Sequence, residues 1–210
     1  MNKKLLRKIW AVSITKTLRY NLHYFGLDGI HCYVLISKSV ILSSLRGSVE
    51  LQKKSFGVVQ IGFPSINIFD SKHERSVWSN SGKIVFHGKI FLGQGTRITN
   101  SGKLEFGDKA IITANTSLIC GKHIVIGSDT QVSWNCLFMD TDLHPIFEKN
   151  GKQERLNYPQ DIILGNHVWV GCRSTILKGT VVKNGCIVAA GSLHANQKFE
   201  VENAIVSSNK

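Results

Sequence analysis

The chain has 210 residues, 42% of them apolar, with three prolines and no low-complexity tract, which excludes a disordered chain and leaves room for one domain with an N-terminal elaboration. Its formal net charge of +12 favours anionic partners, but the lysines are dispersed and no aromatic–basic recognition motif accompanies them, so nucleic acid is not indicated. Five cysteines, at 32, 120, 136, 172 and 186, form no C-x-x-C pair and no framework spacing, which suits a reducing cytoplasm better than secretion.

Met1-Asn2-Lys3-Lys4-Leu5-Leu6-Arg7-Lys8-Ile9-Trp10 opens like a signal peptide, but Lys16 and Arg19 interrupt any apolar core and no small-residue cleavage site follows. No run of ~18 apolar residues, the length needed to span a bilayer, occurs. Leu5 to about Tyr20 reads as a short basic helix inside an N-terminal segment, residues 1–29. Such a helix either covers the open end of the structure behind it or lies on an anionic membrane surface. Capping is preferred, because terminal repeats need a cover for their exposed core. Residues 30–83 read as irregular β, through Tyr33-Val34-Leu35-Ile36, Ser39-Val40-Ile41-Leu42 and Val58-Val59-Gln60-Ile61-Gly62-Phe63, with an insertion around Phe69 to Ser79.

A regular pattern then begins and holds over 84–138 and 162–193. It is clearest at Leu164, Val170, Ile176, Val182 and Val188, where an aliphatic residue returns at every sixth position. A helix would repeat at three and four and a strand at two, so six calls for another geometry. Six is the hexapeptide period of a parallel β-helix, in which each hexad builds one flat face, three hexads make one coil of a triangular prism, and the sixth residue points to its axis. Phe86, Leu92 and Ile98, then Phe106, Ile112 and Leu118, then Ile126, Val132 and Phe138 repeat it, with a slip of two residues between runs that implies bulged corners. Cys120, Cys136 and Cys186 fall within these runs as small apolar fillers.

The hexads stop over 140–161. A polar, proline-bounded excursion of this length, leaving a rigid scaffold, is where binding and catalytic groups tend to sit. It opens Ser133-Trp134-Asn135-Cys136-Leu137-Phe138-Met139-Asp140-Thr141-Asp142-Leu143-His144-Pro145. His144 is the side chain best suited to take a proton near neutral pH, and Asp142 or Asp140 is placed to orient its imidazole. Asp140-Thr141-Asp142 also has the D-x-D form of a metal site, but the strand-helix alternation that accompanies it in nucleotide-sugar transferases is missing. The eight histidines show no ligand spacing, and no metal is expected.

Three segments carry a resemblance: Arg75-Ser76-Val77-Trp78-Ser79-Asn80-Ser81-Gly82; Ser133-Trp134-Asn135 with Met139-Asp140-Thr141-Asp142-Leu143-His144; and Ile163-Leu164-Gly165-Asn166-His167-Val168-Trp169-Val170-Gly171-Cys172 continuing to Ala189-Ala190-Gly191-Ser192. With them the chain resembles the hexapeptide-repeat acyltransferases, in the branch of sugar O-acetyltransferases found in surface-polysaccharide gene sets. The resemblance implies a left-handed parallel β-helix, all β apart from its N-terminal helix. It implies direct transfer from acetyl-CoA to a hydroxyl of a sugar or glycan precursor, with His144 as general base and Asp142 as its orienting partner. It further implies a homotrimer with acetyl-CoA between neighbouring prisms, lined by Trp169, Cys172 and Ala190. Trp134, Asn135 and Asp140 are assigned to the acceptor side. Alternatives within the same fold are an amine acceptor, such as a nucleotide-linked amino sugar, and a non-catalytic scaffold. The chain departs from the family after Ser192, where Leu193-His194-Ala195-Asn196-Gln197-Lys198 replaces the usual closing segment. A cytoplasmic protein is expected, with the basic N-terminus as its point of contact with the inner face of the membrane.

Overall fold

The computed structural model describes residues 11–70, 73–149 and 154–208. Short strands pair in parallel into three sheets of eight, seven and six strands, which form the faces of a prism. The first face runs from Val34–Ile36 to Ile205–Val206, the second from Val40–Leu45 to Leu193–His194, the third from Ser48–Leu51 to Val181–Val182. The expected β-helix is the observed fold.

The inward columns hold the residues of the six-residue pattern, extended by Trp78, His194 and Val206. Phe86, Phe106, Ile126, Leu164 and Val182 stack under the third face. Leu92, Ile112, Val132, Val170, Val188 and Val206 stack under the first, and Trp78, Ile98, Leu118, Phe138, Ile176 and His194 under the second. All are buried. A face alone could not dry these side chains; only the stack above and below removes them from water. Gly93 shows why glycine follows the aliphatic residue: a Cβ there would stand 1.6 Å from the Thr113 carbonyl oxygen.

Early coils are twenty residues long, as from Leu92 to Ile112 to Val132, and later ones eighteen, as from Val170 to Val188 to Val206. The two-residue slips therefore lie on one edge, between the second and third faces. Asn80 and Asn100 stack there, with Asn100 Nδ2 donating to Asn80 Oδ1 at 2.8 Å and Asn80 Nδ2 to the Ser48 carbonyl at 3.1 Å. The longer coils carry the aromatic core, including Trp78 and the Phe86–Phe106 stack at 5.4 Å; the inward columns of the eighteen-residue coils are aliphatic until His194.

At the N-terminal end, helix α1 (Ile14–Phe25) lies on the open edge of Val34–Ile36 and pairs with it through side chains. Val34 N–H donates to Asn21 Oδ1 at 3.0 Å while Asn21 Nδ2 donates to the Val34 carbonyl at 2.7 Å, and Ile36 N–H donates to Thr17 Oγ1 at 3.0 Å. Among the described residues the helix begins after Ser13, its N-cap; the start expected at Leu5 falls in residues 1–10, which hold most of the basic segment and lie outside the described residues.

The irregular first coils are present. Their larger insertion falls between Phe63 and Ser76, earlier than expected. The repeat also runs on past residue 193. His194 takes the inward position, fully buried, with Nδ1 at 2.5 Å from Gln197 Oε1 and Nε2 at 3.1 Å from Ser192 Oγ.

Candidate active site

The excursion leaves the prism at the edge between the second and third faces, directly after Met139. Asp140, expected on the acceptor side, is instead fully buried there. Its carboxylate accepts from the backbone N–H groups of Gly121 (2.6 Å), Lys122 (2.9 Å) and His123 (2.8 Å), and its carbonyl accepts from Gln160 N–H at 3.1 Å. Fully buried and held by three backbone donors, Asp140 fastens both ends of the excursion to the coil before it and is removed from the acceptor set.

The next residues make a tight turn. Leu143 N–H donates to Thr141 Oγ1 at 3.2 Å, Leu143 has φ of 62°, and His144 N–H donates to the Asp142 carbonyl at 2.6 Å. A three-residue turn with positive φ at a bulky residue is rare and strained, and such backbone concentrates at functional sites. It delivers His144 to the surface, where its imidazole is exposed and unpartnered among the described residues. Asp142 does not orient that ring. Its Oδ2 accepts from Lys178 Nζ, and from Asn157 Nδ2 at 2.8 Å. The Lys178 ammonium, then the Asn157 amide, hold the Asp142 carboxyl below the usual carboxylate range. Beyond His144 the chain doubles back: Leu156 N–H donates to the Ile146 carbonyl at 2.8 Å and Glu148 N–H to the Glu154 carbonyl at 3.0 Å. Leu143, Ile146, Phe147, Leu156 and Tyr158 are left exposed on it.

The other expected residues gather on a different edge, between the first and second faces. Trp134, Cys172 and Ala190 occupy one column there, and Asn135, Arg173 and Gly191 the next, with φ of 58°, 60° and 72°. The ladder is closed by backbone bonds, Arg173 N–H to the Trp134 carbonyl at 3.0 Å and Gly191 N–H to the Cys172 carbonyl at 2.8 Å. Asparagine tolerates the left-handed region at such a corner, which gives Asn135 a backbone role while its side chain stays exposed. Trp169 lies beside this column on the first face, half exposed at 51%, its Nε1 donating to Ser133 Oγ at 3.2 Å. Within one chain, therefore, the edge that presents His144 is not the edge that carries Trp134, Trp169, Cys172 and Ala190.

Sequence reasoning missed Asn157 and the contact of Lys178 with Asp142. A lone asparagine in a polar loop carries no periodic signal, and Lys178 meets Asp142 only because the excursion folds over the following coil. Among the described residues no group of three His, Cys, Asp or Glu side chains is placed to hold a metal ion, and no helix is long and apolar enough to cross a membrane. A recess of about 300 Å³ at the last coil, lined by Phe199, Val201, Ala204, Ile205 and Val206 among others, holds no candidate catalytic group.

No protein-family model matches the chain. It is 47% identical over 57 residues, 27% of its length, to a polysialic acid O-acetyltransferase of Neisseria meningitidis. It is 33% identical over 82 residues, 39% of its length, to a polysialic acid O-acetyltransferase of Escherichia coli O1:K1 / APEC. Each match spans 26% of the relative, about a quarter of its length. The crystal structure of the polySia-specific acetyltransferase NeuO superimposes with a TM-score of 0.50 at 18% identity, over 81% of this chain and 66% of that one. That likeness is one of fold, the left-handed parallel β-helix. The names of the relatives fall within the group that the sequence resembles.

Proposed function

We propose that this chain is an acyltransferase that moves an acetyl group from acetyl-CoA to a hydroxyl of a sugar or glycan, with His144 as the general base. The observation that carries the reading is the turn at Leu143, which spends backbone strain to hold an unpartnered histidine at the surface where the long excursion leaves the prism. The relatives named above act by name on polysialic acid, an anionic glycan, and a net charge of +12 suits such an acceptor.

Because the two groups of residues stand on different edges, the complete site forms between copies, the excursion of one chain reaching the Trp134 edge of the next. Closed three-fold symmetry satisfies this geometry with every site identical. The Trp134 edge fits a thin ligand arm: below Trp134 it carries the small Cys172 and Ala190, and beside them Gly191, whose absent Cβ would meet nothing within 4 Å. Trp169 adds a half-exposed aromatic face. Acetyl-CoA, bound there, supplies a thioester carbonyl whose C–S bond breaks as the new C–O bond forms. His144 takes the acceptor hydroxyl proton, which then passes to the departing thiolate. General-base assistance is worth on the order of 10²–10⁴ in rate, and the remainder comes from holding both reactants in attack geometry. Five cysteines without a disulfide among the described residues suit a reducing compartment, and the reaction is assigned to the cytoplasm.

Calorimetric titration with acetyl-CoA tests the donor site, with one site per chain as the expected result. With polysialic acid as the first acceptor, His144→Ala is expected to lower turnover by about 10²-fold or more while acetyl-CoA still binds. Unchanged turnover would remove His144 from the mechanism.

A further inference from the structure

We infer that Asn157 is the positioning residue for His144, acting together with Lys178 through Asp142; this rests on the reading of His144 as the base. Asn157 is nearly buried, 8% exposed, between the exposed Leu156 and Tyr158. Its amide reaches three alternate residues around the histidine. Nδ2 donates to Asp142 Oδ2 at 2.8 Å and to the His144 carbonyl at 2.7 Å, and Oδ1 accepts from Ile146 N–H at 2.6 Å. Both amide hydrogens and the oxygen are used. The orientation of the amide is also determined. Turned over, it would set its oxygen against a carboxylate and a carbonyl and its NH₂ against an N–H.

Lys178 supplies the link to the prism. It follows the strand Thr175–Leu177 of the next coil, and its ammonium donates to the same Asp142 oxygen. The chain on both sides of Leu143 is thereby anchored, at Asp142 by two donors and at His144 through its carbonyl. A strained turn persists only where its surroundings over-determine it, and these contacts supply that constraint. The His144 ring has no partner of its own among the described residues, so its place is set through its backbone. Asp142 thus keeps its importance to His144 by fixing the turn instead of the ring.

A role confined to folding makes a different prediction. The prism pairs across the excursion without it, Phe138 lying in register with Ile176 and Ile126 with Leu164. Asn157→Ala is therefore expected to leave the melting temperature near that of the parent, and the KM for acetyl-CoA unchanged. It should lower kcat on polysialic acid by about 10²-fold, the effect of a small misplacement of a catalytic group. Asn157→Asp adds a readout that a structural role would not move. Ionised, it lacks both donors and is as slow as Asn157→Ala; on acidification its carboxyl regains one donor, so its kcat relative to the parent at the same pH rises. The ring resonances of His144, assigned with His144→Gln, should shift and broaden in Asn157→Ala. Should that variant fail to fold, Lys178→Met removes the second donor to Asp142 from outside the excursion and is expected to lower kcat about 10-fold. Unchanged kcat and unchanged His144 resonances in a folded variant would overturn the assignment. Parental turnover in His144→Gln would overturn the choice of base instead, and shifted resonances in Asn157→Ala would then still support a positioning contact.

Discussion

Glu105, on the third face, accepts from Lys103 at 2.7 Å, from His123 at 2.8 Å and from His87 at 3.3 Å. Burial alone would lift its carboxyl, but these three donors outweigh it and hold the group down at about 2, against an ordinary 4.5. Over the window between those values the unfolded chain takes up a proton that the folded chain refuses, so this contribution is complete above the upper value and is lost as pH falls toward the lower. Glu105→Gln is expected to flatten the acid limb of stability, read as urea midpoints near pH ~5 and pH ~3; an unaltered limb would show that other carboxylates dominate it. His144 and the exit of the excursion were legible at this scale from residue type and the break in the hexads, whereas the residues of the Trp134 edge were named only through the family resemblance. The partners of Asp140 and Asp142 were not. An aspartate reads the same in sequence whether its carboxylate faces a histidine, a lysine or three backbone amides.

The N-terminal helix shows the same limit at the scale of elements. Thr17 and Asn21 are neutral to poor helix formers when judged by propensity, yet here they stand in for a strand. Their side chains satisfy the N–H groups and a carbonyl on an edge that would otherwise template aggregation. Asn21→Ala orphans the N–H and carbonyl of Val34 in a buried setting and is expected to cost about 2–4 kcal/mol. Light scattering should then register self-association through the bared edge, and a parental melting temperature without association would contradict the capping role. The regular faces were readable residue by residue, since a core position that recurs every six residues has no competing interpretation. The irregular coils were harder. Insertions at 64–75 and the two-residue enlargement between the second and third faces are absorbed at corners, where the hydrophobic pattern carries no information and stacked asparagines set the local geometry.

For the molecule as a whole, the separation of the two edges makes a prediction that no single side chain does. His144→Gln chains keep the Trp134 edge, and Cys172→Trp chains, with that edge filled, keep the histidine. Each is expected to be inactive alone. Unfolded together and refolded at equal amounts, they should regain roughly a quarter of the parental activity, the share of interfaces that draw an intact half from each kind in a cyclic assembly. No recovery from a mixed oligomer would place the whole site within one chain. The sequence by itself determined the β-helix, the register of its core, the place where the repeat breaks and the histidine presented there, because each is written in a short-range period or in its interruption. Only the tertiary structure decided that Asp140 and Asp142 serve the backbone and a lysine, that Asn157 closes the turn, that His194 continues the core, and that His144 and Trp134 stand on separate edges of the prism. Those are contacts between residues far apart in the chain, and they exist only once the coils have stacked.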